Sequence, residues 1–272
     1  MTCTADRFVL IETVTQTTVH ESIAEKMTAP LDEAQLLPLA LDDAFQFACH
    51  SRMPCFNHCC RDLSQALMPY DVLRLKKNLN ISTGDFLSRY AEIQIGPATG
   101  LPVVSLRFFD NEKRQCPFVT NQGCRVYADR PASCRIYPLV RLLRRLRTNG
   151  SLIEQFALLK EPHCRGFEQK QTQTVREWIV SQELEAYHEA NEVLMELIAL
   201  KNQRRPGPLP QELSELAQMA FYDLETLKEQ AAGGGLEGMD AAGLKPVAEL
   251  RNDLEWLKWS MEWIKVVLFG GS

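Results

Sequence analysis

Nine cysteines, eight of them between Cys49 and Cys164, are the residues of this 272-residue sequence best equipped for chemistry, and the 108 residues after Cys164 contain none. Cys49, Cys55, Cys59 and Cys60 fall within twelve residues, and Cys116, Cys124, Cys134 and Cys164 follow at wider spacing. Short loops bring several sulfurs within the roughly 2.3 Å reach of one metal at low entropic cost. In a reducing compartment such clustering points to metal ligation or reactive thiols rather than disulfides. Buried thiols alone have no reason to cluster, nor to recur beside arginine as they do at Arg61, Arg125 and Arg135.

Thiolate-rich ligation suits zinc or an iron–sulfur cluster and disfavours magnesium and calcium. The eight sulfurs allow two four-ligand sites, or one site drawn from both groups. Neighbours in an extended chain point to opposite sides, so Cys59 and Cys60 are expected to serve different metal atoms, which favours a cluster slightly over a single zinc ion. His50, His58 and His163 each sit within a residue of a cysteine; a role beside the ligands is expected of them more than ligation itself.

Charge follows the same geography. Residues 107–150 hold ten basic and three acidic side chains, a net +7 within a chain of net charge −5. Four thiolates around one divalent ion leave a charge of −2, which nearby arginines would offset. The competing readings are a solvated basic strip, or an anion-binding surface built from Arg141, Arg144, Arg145 and Arg147. Nucleic acid is not expected among the partners.

Other signatures fail in their context. Gly233 to Gly238 fits G-x-G-x-x-G literally but follows a helical pattern, so it reads as a linker rather than a dinucleotide-binding turn. A radical-SAM loop needs a cysteine where Asp62 stands. No P-loop, nucleophile elbow, metalloprotease helix or zinc-deaminase spacing is present.

The combination of Phe47-Ala-Cys49 through Cys55, Cys59-Cys60-Arg61, Cys116-Pro117-Phe118, Cys124 to Tyr127, Arg130-Pro131, Cys134-Arg135 and Tyr137-Pro138 resembles the cysteine-cluster family named for its C-x-x-C-x-x-C-C signature. The resemblance spans about Phe45 to Gly166 and implies zinc or iron chelation. This chain has five residues between Cys49 and Cys55 and three between Cys55 and Cys59, where the signature has two and two. The flagellin lysine methylases resemble it through the cysteine region alone.

Elements must hold these residues in place. Residues 8–19 favour a strand, and Phe45 and Phe47 alternate with polar neighbours on the way into Cys49. Two short helices are expected between Pro69 and Tyr90, the second capped by Ser82, followed by a turn at Gly96–Gly100. Val103–Phe109 and Leu152–Leu159 read as strands, and the segments between them, with Pro117, Pro131 and Pro138, as loops. Beyond Thr174 the apolar period is helical: one helix up to a linker at Arg204–Pro210, a second to about Glu229, and a last one over roughly Pro246–Phe269. The last carries Trp256, Trp259 and Trp263 beside an aliphatic stripe, an arc expected to be core, with docking of a partner as the alternative.

The composition, 45% hydrophobic and 24% charged, is that of a globular protein. The expected fold class is α+β: a small metal-centred cysteine-rich core of short strands and helices over residues 1–170, then a predominantly helical region over 171–272. No apolar run approaches the roughly 20 residues of a membrane span, and Met1–Leu10 lacks the pattern of a secretory signal, so a cytoplasmic location is expected. The leading functional expectation is a metal-binding protein holding an iron–sulfur cluster, a four-iron four-sulfur type among the options, or zinc, in a structural, redox or sensing role. The alternatives are a lysine methylase-like protein-modifying enzyme built around the cluster, and an interaction module using the tryptophan-bearing helix; the protein partner or substrate is left open.

Overall fold

The computed structural model describes residues 11–14, 34–61, 65–109, 114–146, 152–240 and 243–270. Its strands are β1 (Ile11–Val14), β2 (Gln35–Leu39), β3 (Ala44–Gln46), β4 (Ala66–Leu67), β5 (Ala91–Ile95), β6 (Pro102–Leu106), β7 (Val119–Thr120), β8 (Gly123–Cys124), β9 (Leu139–Leu146), β10 (Leu152–Lys160) and β11 (Thr172–Thr174). Its helices are α1 (Pro69–Leu79), α2 (Thr83–Tyr90), α3 (Ala132–Ile136), α4 (Val175–Ser181), α5 (Leu184–Arg204), α6 (Gln211–Tyr222), α7 (Leu224–Ala232) and α8 (Asp253–Phe269). The fold is mixed α+β with a helical C-terminal half, and no helix among the described residues is long and apolar enough to cross a membrane.

The chain forms two compact units. The first gathers Met1–Gln65, Phe108–Tyr127 and Ala132–Glu185; the second gathers Ala66–Arg107, Ala128–Pro131 and Ala186–Ser272. All eight cysteines from Cys49 to Cys164 belong to the first.

In the first unit a four-stranded sheet runs β1-β9-β10-β2, parallel between β1 and β9 and antiparallel elsewhere. The alternation at Phe45 and Phe47 is realised: β3 pairs antiparallel with β11, and both phenylalanines are buried with Leu139, Phe156, Leu158, Val175, Ile179 and Leu184. The Phe47 ring lies 5.9 Å from Tyr137, 5.3 Å from Phe167 and 5.6 Å from Trp178 between centres. Helix α4 starts at a reciprocal cap: Glu177 N–H donates to Thr174 Oγ1 at 3.2 Å, and Thr174 N–H to the Glu177 carboxylate at 2.8 Å.

In the second unit, strands run β4-β6-β5, all antiparallel. Pro69 opens α1, and Ser82 caps α2 by accepting the Asp85 N–H at 3.1 Å, both as the sequence predicts. Most of the tryptophan-bearing arc of α8 is core, with Trp256 half-buried. Trp259 and Trp263 are buried, and their indole N–H groups donate to the Lys245 and Glu237 carbonyls, each at 2.8 Å. Docking through that helix thereby loses its main support.

Five expectations need correction. The helix expected from Thr174 to the linker is two, α4 and α5, divided at Gln182 and Glu183, the latter at a left-handed φ of 54°. The segment after Pro131 is not loop: it holds α3 and then β9, whose arginines interrupt the apolar pattern while β10 on one side and β1 on the other supply its hydrogen bonds. Strand β2 was not foreseen; it pairs with β10. The helix after the linker is two, α6 and α7, divided at Asp223, whose carboxylate caps the second by accepting the Thr226 N–H at 3.2 Å. The last helix begins at Asp253, where Asn252 accepts the Glu255 N–H at 3.0 Å. Of the strand expected over 8–19, Ile11–Val14 forms β1 and the remainder lies outside the described residues, as does Arg147.

Candidate metal centre

The first cysteine group lies on a winding loop. Met53 N–H donates to His50 O at 3.0 Å, Phe56 N–H to Met53 O at 3.0 Å, His58 N–H to Cys55 O at 2.9 Å and Cys60 N–H to Asn57 O at 3.1 Å. Buried Met53 anchors this spiral. Asn57 takes φ 66°, a left-handed conformation asparagine tolerates, and starts a 3₁₀ turn over His58–Cys60. The extended geometry expected at Cys59-Cys60 is therefore wrong. The turn places the two thiols side by side, and they share a hydrogen bond.

Backbone contacts draw in the later cysteines. Cys116 N–H donates to Cys60 O at 2.9 Å, and Arg61 forms an antiparallel bridge with Gln115. Asn57 Nδ2 reaches Thr120 O at 2.9 Å, tying the loop to the β7–β8 hairpin that carries Cys124. Arg165 N–H donates to Cys55 Sγ at 3.2 Å, joining the segment of Cys164 to the first group. On α3, Cys134 Sγ lies 3.6 Å from Gln65 Oε1, and the Gln65 amide also bonds Ser133.

The thiols feel one another. Cys60 is held well above the ordinary thiol range by its bond to Cys59, by burial, and by the charges of Cys59, Cys134 and Cys116. Cys116 is pushed up to about 11, chiefly by burial and by Cys124 and Cys59, while backbone N–H groups of Phe118 and Val119 favour its thiolate. Burial likewise raises Cys164, next to the charges of Cys55 and Cys59, against the pull of Tyr137 and the Gly166 N–H. Cys59, Cys116 and Cys134 thus stand near enough to Cys60, Cys59 and Cys124 to Cys116, and Cys55 and Cys59 to Cys164, for their charges to be felt. Cys49 lies exposed at the start of the loop, and Cys134 is exposed on α3.

All eight are thiols. Among the described residues no group of three or more His, Cys, Asp or Glu side chains stands where it could hold a metal ion. The donor set still fits zinc or iron chemistry: soft sulfurs in neighbouring positions, backbone N–H groups on three of them, and Arg61 Nε buried without a hydrogen-bond partner among the described residues. Sequence reasoning did not single out Gln65, or give Tyr137 and the Arg165 and Gly166 amides any role at sulfur. Their signal lies in contacts made across the fold rather than in residue type.

Comparison with curated proteins and with solved structures finds no match. A family model, CxxCxxCC, described as "Putative zinc- or iron-chelating domain", matches residues 48–178, a stretch that contains all eight clustered cysteines. The spacing Cys49-Cys55-Cys59-Cys60 departs from the name of that family. Over residues 48–178 the chain is thus similar to the family described as "Putative zinc- or iron-chelating domain".

Proposed function

We propose that the first unit holds an iron–sulfur cluster through thiolates drawn from Cys49, Cys55, Cys59, Cys60, Cys116, Cys124, Cys134 and Cys164, with zinc as the other occupant that the family's chemistry admits. The observation that carries this reading is the Cys116-to-Cys60 backbone bond, which fixes two sulfur-bearing stretches 56 residues apart in one neighbourhood. Two features favour a cluster. Adjacent Cys59 and Cys60 present two sulfurs side by side, which adds to the all-thiolate donor set that an iron–sulfur cluster takes. Backbone N–H groups address Cys55, Cys116 and Cys164, and such bonds set the potential of iron–sulfur centres.

A redox or sensing role follows from surface placement: Cys49 and Cys134 are exposed and the rest half-buried, so electrons or oxidants can reach the centre. Such a role belongs to a reducing, cytoplasmic setting, where thiols are not consumed as disulfides. The test is purification of the full chain without oxygen, followed by measurement of iron, acid-labile sulfide and zinc per chain and an electron paramagnetic resonance spectrum after reduction. Iron with matching sulfide supports the cluster; stoichiometric zinc without sulfide rejects it in favour of zinc; a chain that retains neither metal rejects both.

A further inference from the structure

We infer that strand β5 is the contact through which two copies of this chain associate, pairing antiparallel with β5 of the second copy about a two-fold axis at Gln94. β5 is an edge: the sheet order is β4-β6-β5, and no strand among the described residues lies beyond it. Its backbone direction is fixed at both ends. Arg107 N–H donates to Tyr90 O at 2.7 Å and Gly96 N–H to Leu101 O at 2.9 Å, so the even-numbered residues turn their backbone groups toward β6. The odd-numbered residues Ala91, Ile93 and Ile95 therefore turn theirs outward.

The open stretch is short and bounded on both sides. Ala91 N–H is taken by Leu87 O and Ala91 O by the Arg107 guanidinium at 2.6 Å, while Pro97 has no N–H to give. Ile93 and Ile95 are left with two N–H and two C=O groups that have no hydrogen-bond partner among the described residues. A second β5, set so that Ile93 lies opposite the second copy's Ile95, satisfies all of them in both copies. The neighbouring registers, centred on Ile93 or on Ile95, set an isoleucine against Ala91 or Pro97 and leave groups unpaired. An unrelated extended peptide has no reason to match these limits, whereas a second copy matches them by symmetry.

Side chains suit the same occupant. Ile93 and Ile95 are 42% and 47% exposed, beside the buried Val104 and Pro102 that face them across the ladder, so the apolar face of the sheet runs on past its cover. In the pair, the isoleucines of both copies stand together on that face. On the other face Gln94 meets its own counterpart and Glu92 meets Gly96, so no charge opposes a like charge, and Glu92 lies 3.7 Å from Arg107 of its own chain. The strand carries neither the lysine nor the proline that guards an open edge. So short an edge buries less than the roughly 1,200 Å² of a lasting interface, so the association is weak and concentration-dependent.

The experiment is sedimentation velocity of the full chain in reducing buffer, from micromolar to near-millimolar concentration. The dimer fraction should grow with concentration. Ile93→Lys should lower the association constant about tenfold or more, by placing a solvated charge in the apolar patch. Gln94→Glu and Gln94→Lys, each alone, should lower it about fivefold by setting like charges face to face, and an equimolar mixture of the two should restore it. Both positions are exposed, so all three variants should keep the melting temperature of the unaltered chain. Rescue on mixing is a result that a misfolded chain cannot give. A chain that stays monomeric throughout, a dimer indifferent to residues 93 and 94, or a mixture no stronger than either variant alone overturns the pairing.

Discussion

The N–H of Cys116 donates to the carbonyl of Cys60 at 2.9 Å, closing a loop of 56 residues at the point where both side chains are sulfur. Because the bond is between backbones, it persists whatever the protonation or ligation of the thiols. The polypeptide by itself therefore holds the backbones of these two cysteines together.

Removing either sulfur tests this directly. Cys60→Ser and Cys116→Ser should each weaken metal binding roughly 100-fold or more, since a hydroxyl is a poor substitute for a soft thiolate. The measurement is metal per chain after gel filtration against a competing chelator. Retention of full metal by both variants would remove these two residues from the centre.

Metal uptake should depend steeply on pH. Cys116 is pushed up to about 11 and Cys60 and Cys164 are also raised, so in the metal-free chain these groups are protonated at neutral pH. Binding must then expel protons, and affinity should rise with pH by roughly tenfold per unit for each proton released. Zinc titrations in several buffers of different ionisation heat would count those protons; a pH-independent affinity between neutrality and pH 9 contradicts it.

Gly166 is a packing bottleneck beneath Cys164. A Cβ there would collide with Phe47 Cε2 and meet the Ala48 carbonyl at 3.0 Å, in a buried ring cluster with little room to give. Gly166→Ala should destabilise the chain by about 1–3 kcal/mol and loosen metal as the Cys164 segment shifts. Urea denaturation and chelator competition on the same sample would show both effects, or neither if the ring cluster adjusts.

At the other end of the chain, Asp253 opens α8 and pairs with Lys228 and with Lys77 at 2.8 Å, which holds its carboxyl at about 2. A depressed carboxyl contributes stability that is fully present above its unfolded value and is lost as pH falls through its folded value. Allowing for solvent screening, Asp253→Asn should cost about 1–2 kcal/mol at pH 7. That cost should shrink between pH 4 and about 2. An unchanged melting temperature at pH 7 contradicts the pairing.

Trp263 is 1% exposed and donates to Glu237 O. Trp263→Ala should cost about 3–5 kcal/mol, the range for truncating a buried aromatic side chain. Its indole should also resist soluble quenchers, a fluorescence measurement on a variant retaining Trp263 as its only tryptophan; easy quenching would mean that α8 is not packed as described.

Much of this was legible in residue order because local chemistry decided it. Phe45 and Phe47 alternate and are buried; Ser82 and Thr174 cap helices; the glycines from Gly233 end one. Strand β9 was not legible, since Arg141, Arg144 and Arg145 give it the look of a basic surface and only pairing with β1 and β10 makes it a strand. The side-by-side thiols of Cys59 and Cys60 were hidden for another reason: one left-handed residue, Asn57, turns the chain into a 3₁₀ helix that adjacency alone does not reveal. The approach of the His58 and His163 rings to 6.4 Å was hidden too, because nothing local relates residues 105 positions apart.

The first unit is assembled from three stretches, and the last of them runs to Glu185. On the ribosome, Cys49 to Cys60 emerge while Cys164 is still about a hundred codons from being read, at the usual pace of roughly 5–20 residues per second. For those seconds the nascent chain offers thiols that have not yet met their later companions, so the sulfurs of the unit come together only once translation has passed the residues that close it.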